Sequence, residues 1–325
     1  MSRLQVVAFL LVALLDTSHA LAQSSQKTWR LGVLTTGSAG RAFESFRSQT
    51  FPQLAKQGFV EGKNLVVDIR TGTQEELPGL ARELVGTGPD AVIAVSVWAI
   101  RAVQQASRSI PIIASFTGED PVAAGFAASL ARPAGQVTGI VMLAPELSAK
   151  RLQVLHDAIP MAKRMAVLAR SPELDRPSIA ETEKAAERSG LDLMKFYAPT
   201  PAKYAPAFTA MSEAGVEALA IESAPEFATN AAVLASLALQ SHLPTVCEWD
   251  WMARDGCLLG YGPDMDELRR RTADYVVQIF HGASPGNLPM EQPTHFKFAI
   301  NLQTAKDLRL TIPPAMLARA DEVIE

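Results

Sequence analysis

The chain has 325 residues, of which 48% are apolar and 20% are charged, and its formal net charge is −4. This composition supports buried apolar cores and excludes a disordered chain. A mildly acidic sequence without a basic run also excludes a nucleic-acid-binding class, so we expect no nucleic-acid partner.

The N-terminus has the pattern of a secretory signal peptide. Arg3 precedes an apolar run from Leu4 to Leu15, and Ala20 and Ala22 offer the small residues that a signal peptidase reads. We expect cleavage after Ala22, which makes residues 1–22 the signal peptide. The apolar run is shorter than the roughly 20 residues that span a bilayer, and no Cys directly follows it to accept a lipid. We therefore expect export into a periplasm without a membrane anchor.

The rest of the chain alternates strand-like apolar runs with helix-like amphipathic stretches. The first series predicts strand 31–34, helix 42–56, strand 65–69, helix 75–85, strand 91–95, helix 98–107, strand 110–114, helix 122–130 and strand 137–143. The second series predicts helix 148–158, strand 165–168, helix 178–189, strand 191–197, helix 204–214, strand 218–221, helix 230–240, and strands 245–247 and 257–259. Two series of similar length predict two α/β lobes, each a doubly wound parallel sheet covered on both faces.

Small, polar and turn residues follow the predicted strands of both series. Open parallel sheets bind ligands at the carboxyl ends of their strands, where helix N-termini also present free backbone N–H groups. Each of these residues alone is also typical of a helix cap, but their recurrence at six strand ends predicts a ligand crevice. The residues that we expect to contact a ligand are Thr35, Thr36, Gly37, Ser38, Ser96, Trp98, Thr117, Gly118, Asp120, Ser171, Ser223, Trp249 and Tyr261.

Aromatic and acidic side chains also concentrate at these strand ends. The aromatic candidates for stacking on a flat or apolar ligand are Trp98, Phe116, Trp249, Trp251 and Tyr261. The alternative is that these rings pack within or outside the lobes. Glu119, Asp120 and Glu248 are candidates to receive a ligand ammonium, although Asp120 precedes Pro121 and is expected to cap a helix.

The two cysteines, Cys247 and Cys257, leave two alternatives open. An even pair in an oxidising compartment forms a structural disulfide in many exported proteins. Two buried thiols on neighbouring strands are the other interpretation, because a free Cys packs as a small apolar residue.

The sequence lacks the signatures of the common catalytic and metal sites. The four His after the signal peptide have no metal-ligand spacing, and neither a Walker A loop, a GxSxG elbow nor a GxGxxG loop after a strand is present. We therefore expect no metal, no cofactor and no enzymatic activity.

Several sequence blocks resemble one family. They are Ile110-Pro-Ile-Ile113, Gly118-Glu-Asp-Pro-Val-Ala-Ala-Gly125, Ser129-Leu-Ala-Arg-Pro133, Val137-Thr-Gly139, Leu147-Ser-Ala-Lys-Arg-Leu152, Leu259-Gly-Tyr-Gly-Pro-Asp264, Leu288-Pro-Met-Glu-Gln-Pro293, Ile300-Asn-Leu302 and Ala318-Arg-Ala-Asp-Glu-Val-Ile-Glu325. Taken together and in this order along the chain, these blocks resemble the ABC-transporter substrate-binding family that includes tryptophan- and phenylalanine-binding lipoproteins.

The resemblance implies the type I periplasmic-binding fold, in which two lobes joined by three crossovers close on a ligand. The crossovers would lie near residues 138–144, 261–263 and 291–295. The first lobe would comprise 23–140 plus 262–290, and the second 141–261 plus 291–325. Gly139, Gly262 and Pro263 would serve as hinge residues; ordinary strand termination is the alternative for each.

The resemblance also implies a function. The chain would be a monomer that captures a small organic solute, an amino acid or small carboxylate, aromatic ones included, for an ABC permease in the inner membrane. A periplasmic sensor for a signalling receptor and an enzyme on the same scaffold are the alternative functions.

Overall fold

The computed structural model describes residues 27–36, 44–118, 120–142 and 144–325. The predicted signal peptide, residues 1–22, lies outside this part of the chain. The strands are β1 Trp29–Thr36, β2 Leu65–Gly72, β3 Ala91–Val95, β4 Ile112–Thr117, β5 Val137–Val141, β6 Arg164–Ala169, β7 Asp192–Tyr197, β8 Ala218–Ile221, β9 Thr245–Cys247, β10 Leu259–Pro263, β11 Phe296–Asn301 and β12 Glu322–Ile324.

Helices alternate with these strands, as the sequence pattern predicts. They are α1 Phe51–Lys56, preceded by a π-helical turn at Phe46–Thr50, then α2 Leu77–Gly86, α3 Val97–Ala106, α4 Ala144–Ala158, α5 Arg176–Ser189, α6 Tyr204–Glu213, α7 Pro225–Thr229, α8 Ala231–Gln240, α9 Asp250–Arg254, α10 Met265–Phe280, α11 Leu302–Asp307 and α12 Pro314–Leu317. None of the helices in the described ranges is both long and apolar enough to cross a lipid bilayer.

The strands form two sheets of related topology. The first has the order β2-β1-β3-β4-β5, and all of its pairs are parallel. The second has the order β12-β11-β10-β9-β8-β6-β7. Its part β7-β6-β8-β9-β10 repeats the order of the first sheet and is parallel, whereas β11 joins β10 antiparallel. The predicted α/β fold with two doubly wound, mostly parallel sheets is confirmed.

The chain passes between the sheets three times. The first passage follows β5 and leads to α4, which packs on β8, β9 and β10. The second follows β10, because α10 packs on β3, β4 and β5 of the first sheet. The third leads from α10 back to β11 and runs beside β5, where the Val141 N–H donates to the Glu291 carbonyl oxygen at 2.9 Å.

Apolar side chains on both faces of the strands explain the burial of the sheets. Strand β3 reads Ala-Val-Ile-Ala-Val, and its first four residues are fully buried. Helices α2 and α3 cover one face of the first sheet, and α10 with α1 covers the other. Near-continuous apolar runs are typical of parallel strands that are buried on both faces.

Several predicted elements differ from the structure, mostly by two to four residues at one end. The predicted helix over 122–130 is absent, and a series of turns occupies this stretch. A turn after Asp120 begins it, but Gly125 adopts a φ of +76°, which ends any helix there. The predicted strand 257–259 begins two residues later, since β10 runs from Leu259 to Pro263.

Cys247 and Cys257 form a disulfide, which settles the alternative that the sequence left open. Both residues are fully buried, and their Cα atoms lie 6.4 Å apart. The bond closes a short loop from the end of β9 to a point two residues before β10, and this loop contains α9.

Candidate functional site

The carboxyl ends of the first-sheet strands place several of the predicted site residues at one edge of the sheet. Thr35 and Thr36 end β1, Ser96 follows β3, and Gly118 follows β4. Gly37, Ser38 and Glu119 lie outside the described residues, as do the side chains of Phe116 and Thr117.

Ser96 links β3 to α3 in a strained backbone conformation. Its φ is 119° and its ψ is 159°, a region that is almost reserved for glycine. Its hydroxyl accepts a hydrogen bond from the Ala99 N–H at 3.2 Å and so caps α3. The first turn of α3 also carries Trp98, whose side chain is 40% exposed and available for contact.

Asp120 acts as a cap, as predicted for its position before Pro121. Its carboxylate accepts a hydrogen bond from the Val122 N–H at 2.8 Å, although only a turn follows instead of a helix. The carboxylate is therefore used by its own turn, and Asp120 itself is exposed.

Near the carboxyl ends of the second-sheet strands lies a group of buried and half-buried polar side chains, most of them charged, that we call the acidic wall. Its members are Arg151, Arg170, Asp175, Glu222, Ser223 and Glu248. Ser223 was predicted as a ligand contact and Glu248 as a candidate acid. The other four were not singled out from the sequence.

Arg151, from the second turn of α4, connects the acidic wall to β10. Its Nε donates to the Tyr261 carbonyl oxygen at 2.8 Å, and its Nη1 donates to the Ser223 hydroxyl at 2.8 Å. The residue is only 2% exposed. It lies within the block Leu147 to Leu152 that carries the family resemblance, and that block is the one sequence signal that pointed to it.

Glu222 and Glu248 follow β8 and β9 directly and are 4% and 6% exposed. Glu222 accepts hydrogen bonds from the Ser148 hydroxyl at 2.6 Å and the Thr182 hydroxyl at 3.4 Å. Burial raises the pKa of both carboxyls above the ordinary value, because desolvation disfavours the charged form. The nearby Arg151 cation opposes this shift in pKa at both residues.

Arg170 and Asp175 form the outer part of the acidic wall, at the end of β6. The Arg170 Nη2 donates to Asp175 Oδ1 at 2.6 Å, and the Arg170 backbone N–H donates to Asp175 Oδ2 at 2.6 Å. Ser171, a predicted contact, is half-buried in the same loop, and its hydroxyl accepts from the Leu174 N–H at 3.2 Å.

The acidic wall contains more acids than cations. Arg151 and Arg170 face the carboxyls of Asp175, Glu222 and Glu248, which leaves one negative charge in excess when every group is ionised. A buried charge excess favours a ligand group that is positive or donates hydrogen bonds. This wall is therefore suited to an ammonium group.

The remaining aromatic candidates lie in different places. Trp249 is 6% exposed and packs in the apolar core, whereas Trp251 is partly buried at its edge. The Tyr261 ring stacks on Phe296 with centroids 6.0 Å apart and meets Phe298 at 6.3 Å, so the structure groups it with β11 and not with the strand ends.

Two glycines of β10 allow the segment after β9 to lie directly on this strand. A Cβ atom on Gly262 would be 2.0 Å from the Glu248 carbonyl oxygen, and one on Gly260 would be 2.3 Å from the Trp249 carbonyl oxygen. Gly139 in β5 is similar, since its φ is +122° and a Cβ would lie 2.3 Å from the Ala114 carbonyl oxygen. Close backbone approach explains why glycine is needed at all three positions.

Within the described ranges, no three His, Cys, Asp or Glu side chains are grouped in a way that would hold a metal ion. The residues at the carboxyl ends of the two sheets can offer a ligand hydrogen bonds, charge pairing and aromatic contact. Those are the means by which proteins bind small organic molecules.

Comparison with known proteins gives consistent matches over most of the chain. The family model described as "ABC transporter substrate binding protein" matches residues 43–324. The tyrosine-binding protein of Clostridioides difficile (strain R20291) is 22% identical over 260 residues, which are 78% of this chain and 74% of that protein.

Two solved structures share the fold. An ABC domain from Streptococcus pneumonia in complex with L-Trp has a TM-score of 0.83 and 24% identity, covering 92% of this chain and 100% of that one. A conserved domain protein from Vibrio cholerae has a TM-score of 0.83 and 27% identity, covering 91% of this chain and 100% of that one.

Proposed function

Because the chain belongs to the ABC transporter substrate-binding protein family, we propose that it captures an aromatic amino acid in the periplasm for an ABC importer. The resemblance drawn from the sequence blocks is confirmed by the family match. In this proposal the signal peptide, residues 1–22, directs export, and the mature chain is a monomer that delivers its solute to an inner-membrane permease.

The ligand would lie between two lobes built on the two sheets. The first lobe would comprise 23–140 plus 262–290, and the second 141–261 plus 291–325. The packing of α10 on the first sheet and the return of β11 to the second support this division. Gly139, Gly262 and Pro263, in the strands before two of the passages, would carry the hinge rotation.

The acidic wall is the observation that carries the ligand class. Its buried excess of carboxyls, with Glu248 and Ser223 at adjoining strand ends, suits the ammonium of an amino acid better than a simple carboxylate. The exposed Trp98 ring offers an aromatic contact from the first sheet. The tyrosine-binding relative and the relative solved with L-Trp support the same class.

The substrate carboxylate would face the first sheet. Strand ends there present Thr36, the Ser96 turn and the N-terminus of α3, where free backbone N–H groups and the helix dipole favour an anion. The two walls would thus recognise opposite ends of a zwitterion. Contacts from both lobes would then favour the closed form, which the permease recognises.

Calorimetry on the mature protein tests the ligand class. L-tryptophan, L-tyrosine and L-phenylalanine are titrated beside indole-3-propionate and 3-phenylpropionate, which keep the ring and carboxylate but lack the ammonium. We expect binding of at least one amino acid and a loss of about tenfold or more for its deamino counterpart. Binding of sugars only, or equal affinity for the deamino acids, would contradict the proposal.

Small-angle scattering tests the closure. Addition of the amino acid that binds should lower the radius of gyration of the protein, and mass spectrometry should recover that amino acid unchanged. A bound amino acid without compaction would contradict closure, and turnover would favour an enzyme on this scaffold.

A further inference from the structure

The Arg151 guanidinium occupies an unusual position for a buried cation. It is 2% exposed, yet none of the ion pairs within 4.0 Å among the described residues includes it. Its hydrogen-bond acceptors are the neutral Tyr261 carbonyl and Ser223 hydroxyl, and its Nη2 has no hydrogen-bond partner. A cation buried in this way is costly unless nearby charges or hydrogen bonds compensate it.

The nearby charges are carboxyls that Arg151 reaches at longer range. Glu248 and Glu222 are the groups that favour its charged form most, in that order. The Ser223 hydroxyl, which accepts from Arg151, also favours the ionised form of Glu248. One side chain from α4 is thereby connected to the ends of β8 and β9 and to the backbone of β10.

We propose that Arg151 is a positioning residue, which holds the Ser223 hydroxyl and the Glu248 carboxylate in place for the ligand and fastens the acidic wall to β10. This inference rests on the proposed function, in which Glu248 receives the ligand ammonium. The planar guanidinium of Arg151 supplies donors in a fixed arrangement toward Ser223 and Tyr261 at once. Its positive charge favours the ionised form of Glu248. Gly262, which packs on the Glu248 carbonyl, continues the same connection along β10.

A fluorescence titration tests the charge role without any ligand. Trp249 directly follows Glu248 in the chain and its side chain opposes the rise in the pKa of that carboxyl, so its emission should report the ionisation of Glu248. The charged or titratable groups around Glu248 are Arg151 from α4 and Arg170 from the end of β6. These two arginines also interact with further titratable groups, which are Asp175, Glu222, Glu226 and Tyr261.

In Arg151→Gln the fluorescence midpoint should move to higher pH, because the cation that favours the Glu248 carboxylate is gone. Arg151→Lys should keep the midpoint near that of the wild type. Glu248→Gln and Trp249→Phe should each abolish the transition. That result would assign the transition to the ionisation of Glu248, as reported by Trp249. Lys150→Gln removes a positive charge from the adjacent, half-buried position of α4 and should change nothing.

Calorimetry with L-tryptophan and L-tyrosine tests the positioning role. We expect Arg151→Gln to lower the affinity about tenfold or more at neutral pH, with partial recovery as the pH rises. Arg151→Lys restores the charge but not the paired donors, so it should keep the wild-type midpoint and still bind several-fold more weakly. Circular dichroism checks that each variant is folded. If Arg151→Gln is not folded, the positioning role is tested with Arg151→Lys alone.

An unchanged midpoint in Arg151→Gln would overturn the proposal, as would full amino-acid affinity in both variants. If the wild-type protein binds neither amino acid, the proposed ligand class fails on its own. The ligand-free midpoint still decides whether Arg151 controls Glu248.

Discussion

Gly262 allows two backbone segments to pack closely because it has no side chain. The Glu248 carbonyl oxygen lies 2.0 Å from where a Cβ of residue 262 would be. Any side chain at this position must move the backbone that carries Glu248 and Trp249. The family resemblance implies a hinge role for Gly262, which stays a prediction, and the structure shows a packing role.

Gly262→Ala should therefore destabilise the protein by about 2–3 kcal/mol, as overpacking does elsewhere. It should also weaken binding of L-tryptophan, because the acidic wall moves with Glu248. Urea unfolding and calorimetry measure the two effects. Gly79→Ala is the matched control, since a Cβ there meets nothing within 4 Å and an alanine inside α2 should add about 0.5–1 kcal/mol of stability.

Glu222 gives the protein a pH dependence whose sign follows from its burial. Its pKa in the folded protein is raised above the ordinary 4.5, so the folded state binds the proton more tightly than the unfolded state does. The contribution of Glu222 to stability is complete below about pH 4.5 and is lost as the pH rises through the raised pKa.

Glu222→Gln should remove this loss. Relative to the wild type, the variant should gain stability between pH 4.5 and neutral pH and show no gain below it, as measured by urea unfolding over that range. Glu217→Gln is the control of opposite sign. Backbone N–H groups of Arg164 and Lys163 lower the pKa of Glu217, so this variant should lose stability at neutral pH and not in acid. Parallel pH profiles for wild type and Glu222→Gln would refute the prediction.

Residue-scale prediction from the sequence reached the positions after the strands but not the buried partners behind them. Ser96 and Ser223 were placed correctly at strand ends because turn residues after apolar strands have a readable pattern, and their contact with a ligand stays a prediction. Arg151 and Glu222 were missed because the burial of a charge depends on which helix covers which strand end. A single sequence does not contain that pairing.

At the scale of elements, strands and long helices were predicted well because their periodicity is strong. Strands β3, β8 and β9 have the predicted bounds. The helix predicted over 122–130 is wrong because Gly125 with positive φ interrupts an otherwise suitable apolar pattern. The pattern reports which residues are buried, but not whether a glycine will adopt a left-handed conformation.

The disulfide is the element-scale feature with the most direct test. It closes a loop with a sequence separation of 10 residues that contains α9 and the residues Glu248 and Trp249. Replacing both Cys247 and Cys257 by alanine should cost about 2–3 kcal/mol, chiefly by freeing the unfolded chain. It should also weaken L-tryptophan binding, because the loop is no longer fastened at both ends.

Urea unfolding with and without a thiol reductant measures the stability of this variant. The reductant should destabilise the wild type by a similar amount and leave the double variant unchanged. Equal stability of oxidised wild type and double variant would show that the crosslink contributes nothing.

At the scale of the whole molecule, the three passages between the sheets are the segments that the proposed closure would bend. In the third passage, Glu291 accepts from the Arg271 guanidinium of α10 at 2.7 and 3.1 Å. Both side chains are about 40% exposed, so the pair contributes modestly to stability. It holds the third passage against the helix that covers the first sheet.

Glu291→Gln should lower stability by only about 0.5 kcal/mol at low salt, and high salt should remove the difference. Its larger effect should be on closure, measured by scattering at increasing L-tryptophan concentration, because the passage is then less constrained. Lys195→Gln breaks an exposed ion pair with Glu183 away from the passages and should leave closure unchanged. An identical closure curve for Glu291→Gln would refute this role.

The overall architecture could be predicted from the sequence because two alternating series admit few arrangements. The repeated strand order in the two sheets matches the prediction of similar topology. The antiparallel pairing of β11 with β10 and the addition of β12 could not be predicted from the sequence, because pairing at a sheet edge depends on distant parts of the chain.

The interleaved course of the backbone also has a consequence for biogenesis. The first sheet needs α10, from residues 265–280, to cover one of its faces, and the second needs β11 and β12 to extend its edge. A nascent polypeptide that has emerged only as far as β9 therefore exposes apolar surface in both halves at once. Such an intermediate would be prone to aggregate, and a holdase that keeps it unfolded until the roughly 80 residues after β9 are synthesised would favour correct folding.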